Sequence, residues 1–398
     1  MTAGTGSARA VLLVVLDSVG IGGAPDAAAF GDEGSATLPH IAETVGGLKL
    51  PNLGALGLGS IVPVAGVEPA AAPGGAFGAL TERSPGKDTT TGHWELMGVI
   101  LERPFPTYAE AFPDAVIRAF EERAGVQTMG NEVASGTEII ERLGAEHVRT
   151  GRPIVYTSAD SVFQIAAHTD VVPLQRLYEL SRIAREVMRG EHEVGRVIAR
   201  PFAGSGTPED PYARTPDRHD FSVLPPSPMV LEELVAAGLE VRGVGKISDI
   251  FAGKGITSSR TTRSNDEGII AVVEEIGAIS RGLVFANLVD FDQAFGHRND
   301  PGGYAAALEA FDRRLPEIRA ALGPSDVLFI TADHGNDPTT PSTDHSRERV
   351  PLLVAGDRVR PGAVGIRESF ADAGATVADL LGVTTTTPGR SFRAEIAA

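Results

Sequence analysis

At 398 residues the chain is longer than one typical core of about 150 residues, so two or three units are expected. A hydrophobic content of 42% supports well-packed cores, while a formal net charge of −17 argues against nucleic-acid or anionic-membrane binding, which needs a basic footprint to neutralise phosphates. With no cysteine there is no disulfide framework and no thiolate ligand, so a metal site must be built from oxygen and imidazole donors.

The first element is the apolar run Val11–Leu16, which follows Arg9 and stops at Asp17. It is short, ends at an acid and lacks a small-residue cleavage site, so it reads as a buried strand rather than a signal peptide. No apolar stretch approaches the roughly 18 residues that a membrane span requires. A soluble, cytoplasmic protein is the expectation. The Gly/Ala-rich stretch from Val64 to Gly78 reads as a loop. Next comes Gly86-Lys87-Asp88-Thr89-Thr90-Thr91-Gly92-His93-Trp94-Glu95, which sets three hydroxyls between glycines. A threonine hydroxyl is a weak nucleophile at neutral pH and needs a metal or a base to react. The plainer reading is a loop whose Thr or Asp caps a helix beginning near His93. Spacing alone does not rank Thr89, Thr90 and Thr91.

Prolines 104, 106 and 113 cluster after the first hundred residues, and prolines 225, 226 and 228 cluster again later. Such clusters resist regular structure and mark boundaries. The simplest topology is a domain inserted at 103–224 into a metal-bearing core made of 1–102 and 225–398. Within the insert, Ile154-Val-Tyr-Thr-Ser-Ala-Asp160 ends in an acid suited to sugar hydroxyls. Leu177, Leu180, Ala184 and Val187 have helical spacing before Gly190. Arg196, Arg200, Arg214 and Arg218 gather the cations that phosphate recognition needs, because guanidinium forks bind phosphate bidentately. Beyond the insert, Lys246 offers a further cation near a core strand end.

The run Leu283–Val289 stops at Asp290-Phe291-Asp292, with His297 five residues beyond. Tyr304 to Leu322 reads as a helix that Pro316 should kink or divide. Val327–Thr331 leads to Asp333-His334, and His345 follows eleven residues after His334. Val350–Val354 is another buried strand. Strand-like runs alternating with amphipathic stretches indicate an α/β fold with a mostly parallel sheet flanked by helices. In such sheets ligands and metals collect outside the carboxyl ends of the strands.

Asp17, Asp292, His297, Asp333, His334 and His345 are therefore expected at one sheet edge. Singly, each has an ordinary reading: Asp17 as a helix cap, Asp292 and His297 as loop residues, Asp333-His334-Gly335-Asn336 as turn chemistry. Together they offer too many donors for one tetrahedral zinc and suit two divalent ions, an arrangement that clamps the attacking and leaving oxygens of phosphoryl transfer.

These segments resemble the phosphopentomutases, a family of the alkaline phosphatase superfamily. The resemblance runs through nearly the whole chain and is carried by Val15-Leu-Asp17-Ser-Val-Gly-Ile-Gly, Gly86 to Glu95, Tyr156-Thr-Ser-Ala-Asp160-Ser, Gly195-Arg-Val-Ile-Ala-Arg-Pro-Phe202, Gly245-Lys-Ile-Ser-Asp249, Asn287-Leu-Val-Asp-Phe-Asp292 and Thr331-Ala-Asp-His-Gly-Asn336. It implies an alkaline-phosphatase-like core with an inserted α/β cap. It further implies Asp17, Thr89, Asp333 and His334 around one manganese and Asp292, His297 and His345 around another, magnesium or another divalent ion being an alternative. Thr89 becomes the phosphate carrier, and Asp160, Arg196, Arg214 and Lys246 become substrate contacts. The implied reaction interconverts ribose 1-phosphate and ribose 5-phosphate, or the 2-deoxyribose equivalents, through a sugar 1,5-bisphosphate, with a sugar bisphosphate as primer. Cap closure would exclude water. Small phosphosugars are the expected partners, with no nucleic acid, membrane or obligate protein partner. A hydrolase of the same superfamily has a similar metal set, a cofactor-independent phosphoglycerate mutase is expected to carry serine, and a metal-binding module without turnover has no use for the threonine loop.

Overall fold

The computed structural model describes residues 6–158 and 161–398, so Asp160 lies outside the described residues. The chain divides into two compact units, one made of residues 1–103 and 225–398 and the other of 104–224. In chain order the strands are β1 (Ala10–Leu16), β2 (Ala76–Leu80), β3 (Met129–Val133), β4 (Ile154–Thr157), β5 (Val162–His168), β6 (Arg196–Ala203), β7 (Ala213–Arg214) and β8 (His219–Ser222). They continue with β9 (Glu240–Val244), β10 (Ser258–Arg260), β11 (Gly282–Leu288), β12 (Val327–Thr331), β13 (Val350–Ala355) and β14 (Gly362–Arg367).

The first unit is built on a sheet of order β10-β9-β11-β1-β12-β13-β2-β14. Every pairing in it is parallel except the two made by β13, which is reversed against both β12 and β2. β1, β11 and β12 are buried at every residue, as strands covered on both faces must be. Their continuous Val, Leu and Ile runs supply that burial, and the acids that end them sit where the sheet stops. The register pairs Leu16 with Leu288 and Val15 with Thr331, so Asp17 leaves the sheet beside the segments carrying Asp292 and Asp333.

Pro316 does not divide its helix, which runs unbroken over Pro301–Ala320. A proline there leaves the carbonyl four residues earlier without its usual donor. That carbonyl, Asp312 O, instead accepts from Asn52 Nδ2 at 2.9 Å. The Asp312 carboxylate in turn caps the helix Pro51–Leu56, accepting from the Asn52 and Leu53 amides at 3.1 and 2.7 Å. Two helices thus exchange the hydrogen bonds that each lacks. The stretch Val64 to Gly78 is loop only as far as 75, its end forming part of β2.

The second unit has a mixed sheet, β3-β4-β5-β6-β7, with β8 also on β6. Phe112, Phe120, Phe163, Leu177, Leu180 and Val197 pack on one side of it, the leucines coming from the helix Leu174–Val187. Ile139, Ile140, Tyr156 and Phe202 belong to a separate cluster that takes the apolar face of the helix Gly136–Thr150. Among the described residues no helix is long and apolar enough to cross a membrane.

Candidate metal centre and arginine seat

Asp17, Asp333 and His334 form one buried group, and Asp292, His297 and His345 form another; within each, one donor atom per residue lies within 4.8 Å of the others. Asp17 and the Asp333-His334 pair come from the ends of neighbouring strands, β1 and β12. Asp292 lies in a π-helical turn, Phe291–Phe295, directly after β11. His345 arrives by a different route. Because β13 runs backwards, the segment preceding it lies at the edge where the other strands end, and Leu80 at the end of β2 pairs with Val350 at its start.

The two groups adjoin. His334 and His345 stack with ring centroids 4.0 Å apart. His345 Nε2 lies 3.2 Å from His297 Nε2, and His297 Nε2 lies 3.1 Å from Asp292 Oδ2. The Thr343 carbonyl accepts from His297 Nδ1 at 2.7 Å, which assigns the proton to Nδ1 and turns the Nε2 lone pair inward.

Thr89 opens the helix Thr89–Leu96, four residues earlier than the expected start near His93. Asp88 is its cap, accepting from the Thr90 and Thr91 amides at 3.0 and 3.1 Å and from the Thr91 hydroxyl at 2.5 Å. That cap engages one of the three hydroxyls. Thr91 is occupied by Asp88, whereas Thr89 Oγ1 lies 3.2 Å from His334 Nε2. Gly92 lets the helix approach this closely, since a Cβ there would collide with the Asp333 carbonyl.

Several contributing side chains escaped the sequence reading. His93 is fully buried, with Nδ1 2.9 Å from the Thr89 carbonyl and 3.1 Å from Asp333 Oδ2. Asn287 donates to Asp17 Oδ2 at 3.0 Å, and Asn336 donates to Asp292 Oδ1 at 2.9 Å. Ser18, at φ 70°, holds a left-handed conformation that sends its amide to Asp333 Oδ1 at 3.1 Å, a strain of the kind that functional sites retain. His93 and Asn287 stand inside the motifs quoted above, but nothing in their spacing marks them.

Burial pushes the Asp17 carboxyl well above its ordinary range, helped by repulsion from Asp333 and Asp292; Lys246, two residues past the end of β9, pulls the other way. For Asp292 burial acts upward too, but His345 and His297 hold it well below the usual carboxylate range. Asp333 is also lowered against its burial, by His334 and His93. Burial lowers His334, which favours the neutral imidazole a metal requires. Among the described residues Asp17 Oδ1 is buried without a hydrogen bond, and Asp333 Oδ2 meets only the His93 and His334 ring nitrogens, at 3.1 and 3.4 Å. Buried carboxylate oxygens left this way are costly unless a cation meets them. Three carboxylates and three imidazoles with no thiolate fit divalent ions of the manganese, magnesium and zinc class.

In the second unit, Arg196 Nη1 lies 3.5 Å from Asp220 Oδ2, and Arg218 forks onto both Asp220 oxygens at 2.7 and 2.6 Å. Arg200, on the same face of β6 as Arg196, donates to Gln164 Oε1 at 3.0 Å. Burial raises the Tyr156 phenol, and Arg200, Arg214 and Arg218 oppose that rise. Tyr156 Oη is buried, and among the described residues it faces the Arg200 and Arg214 guanidinium groups. A side chain at Gly136, the first residue of its helix, would meet both Tyr156 Oη and the Arg214 guanidinium. The expected contacts are thus divided: Arg214 joins Tyr156 and the helix start, Arg196 joins Asp220, and Arg200 takes the place beside Tyr156.

A family model described as the metalloenzyme superfamily matches residues 9–385. The chain is 57% identical over 389 residues to a phosphopentomutase of Desulfitobacterium hafniense, covering 98% of this chain and 100% of that protein. It is 55% identical over 387 residues to a phosphopentomutase of Caldanaerobacter subterraneus, covering 97% and 98%. Among solved structures, the PH0037 protein from Pyrococcus horikoshii aligns with a TM-score of 0.49 at 18% identity, over 96% of this chain and 99% of that one.

Proposed function

The chain belongs to the phosphopentomutase family within the metalloenzyme superfamily, and from that premise we propose that it interconverts ribose 1-phosphate and ribose 5-phosphate, with the 2-deoxyribose equivalents. The observation that carries the reading is Thr89 Oγ1 at 3.2 Å from His334 Nε2, beside the buried Asp17 and Asp333 and at the start of a helix. Thr89 is the proposed phosphate carrier, and the positive end of the helix dipole favours the charge it would bear.

In the proposed cycle phosphorylated Thr89 gives its phosphoryl group to a free hydroxyl of the pentose monophosphate. The hydroxyl proton is released and a 1,5-bisphosphate forms. After reorientation the Thr89 oxygen takes the other phosphoryl group, and the isomeric monophosphate leaves with the proton regained. A trace of sugar bisphosphate primes the first turnover. Asp17, Asp333 and His334 with Thr89 would hold one ion, and Asp292, His297 and His345 the other. Two manganese ions are proposed, with magnesium as the alternative; when bound they supply Lewis-acid neutralisation of the transferring group. His93 holds the Thr89 carbonyl and so the hydroxyl's position, while Asn287 and Asn336 keep Asp17 and Asp292 oriented.

The seat of Tyr156, Arg200 and Arg214 is proposed for the phosphate that is not transferring, with Arg196 placed to tune it through Asp220. Lys246 adds a cation near Asp17. Phosphorus NMR of the protein with manganese, a trace of sugar bisphosphate and ribose 1-phosphate tests the reading. Growth of ribose 5-phosphate without inorganic phosphate is expected; release of inorganic phosphate alone would make the protein a hydrolase.

A further inference from the structure

The segment 345–349 enters β13, and two neighbouring side chains on it grip different loops. Glu348 is buried and accepts from the Gly22 and Thr37 amides at 2.8 and 2.9 Å and from the Thr37 and Ser346 hydroxyls at 2.6 Å each, securing the loop that follows Asp17. Arg347, 2% exposed, gives its guanidinium to the stretch that leads to Thr89. Its Nη1 donates to the Ser84 and Gly86 carbonyls at 2.8 and 2.6 Å and to Glu82 Oε2 at 2.6 Å. Its Nη2 donates to the Glu82 carbonyl at 2.7 Å and to Asp26 Oδ2 at 2.9 Å.

Three alternate carbonyls, those of 82, 84 and 86, therefore converge on one planar fork. Charge balance does not require this, since Glu82 and Asp26 already supply two carboxylates. Glu95, from the helix that Thr89 opens, grips the same stretch, accepting from the Arg83 and Ser84 amides at 2.9 and 2.6 Å. Lys87 adds a tie, 3.1 Å from Asp32 Oδ2 and 3.6 Å from Asp344 Oδ2. Residues 82–88 lie outside regular secondary structure, so these side chains do the work that a ladder of backbone hydrogen bonds does elsewhere.

We propose that Arg347 is a positioning residue for phosphoryl transfer: it locks the 82–88 loop to the segment carrying His345, so that Thr89 Oγ1 and the two acid–histidine groups keep one fixed geometry. The proposal rests on the reading of Thr89 as carrier. A lysine keeps the charge but is a point donor and cannot span three carbonyls.

The test is Arg347→Lys beside Thr89→Ala, with kcat and KM for ribose 1-phosphate, manganese bound per chain, and Thr89 phosphorylation after exposure to sugar bisphosphate measured by mass spectrometry. For Arg347→Lys the expected result is a kcat about 100-fold lower, the scale of a 1 Å misplacement, with slower phosphorylation and with KM and bound manganese unchanged. Transfer surviving Thr89→Ala would defeat the carrier reading, and this proposal with it. A dead Thr89→Ala beside an Arg347→Lys of wild-type kcat, or one whose loss follows lost manganese, would overturn the positioning role alone. Should Arg347→Lys not fold, Arg347→Gly with free guanidinium decides: kcat recovers with guanidinium and not with methylammonium, and no recovery overturns the proposal.

Discussion

Among the described residues of the first unit, Asp17 Oδ1 is buried without a hydrogen bond and Asp333 Oδ2 meets only imidazole nitrogens, whereas in the second Asp220 lies against Arg196 and Arg218 and the Tyr156 hydroxyl is buried among guanidinium groups. The first region gathers three buried carboxylates among histidines. The second holds excess positive charge around one donor. On the proposed reading the first takes cations and the second an anion, so the two should respond differently to metal and to phosphosugar.

Metal removal should separate them most widely. Chelation is expected to abolish transfer, and manganese at 100 times its dissociation constant should stabilise the first unit by about 2.7 kcal/mol. Hydrogen exchange with and without manganese checks this, the second unit staying unchanged; full activity in excess chelator would break the distinction. Thr89→Ala comes next, with transfer lower by on the order of 10⁴-fold or more and an unaltered melting curve. A phosphopeptide centred on Thr90 or Thr91 would move the carrier.

Arg200→Ala and Arg214→Ala should each raise the KM for ribose 1-phosphate by about 10- to 100-fold, as lost charged hydrogen bonds do, without changing bound manganese. Arg196→Ala should do less, because Arg196 leans on Asp220. Equal effects at 196 and 200 would show that the seat extends along the whole strand.

The smallest effect concerns pH in the second unit. His147 is buried, its Nδ1 donating to the Arg152 carbonyl at 2.7 Å and its Nε2 accepting the His168 amide at 2.8 Å. Burial lowers its pKa below the unfolded value of about 6.5. The unfolded chain therefore takes up the proton first as pH falls. The stability His147 contributes is complete above about pH 6.5 and is lost as pH drops below it. Hydrogen exchange of the helix Gly136–Thr150 between pH 7 and 5 should show this slope, and His147→Gln should flatten it.

Much of the site was legible in the chain. β1, β11 and β12 appear as apolar runs because strands buried on both faces allow little else, and Asp17, Asp292, Asp333 and His334 follow them at once. His93 and Asn287 were not legible, since a buried histidine and a strand asparagine acquire meaning only from what packs on them. Arg200 and Arg196 share a strand face and differ only in which neighbours β8 and β4 bring. Pro316 was misread because its consequence depended on Asn52, far away in sequence.

By itself the sequence determined the sheet, its acid-tipped strands, the donor chemistry and the threonine-rich loop, because periodicity and burial are local consequences of residue type. Tertiary structure alone decided that β13 runs backwards and so delivers His345 and Arg347 to the edge where the other strands end. It also decided that Asp88 occupies Thr91 and leaves Thr89 beside His334. An apolar run specifies that a strand is buried but not its direction, and a hydroxyl acquires a role only when the packing of distant segments chooses its neighbour.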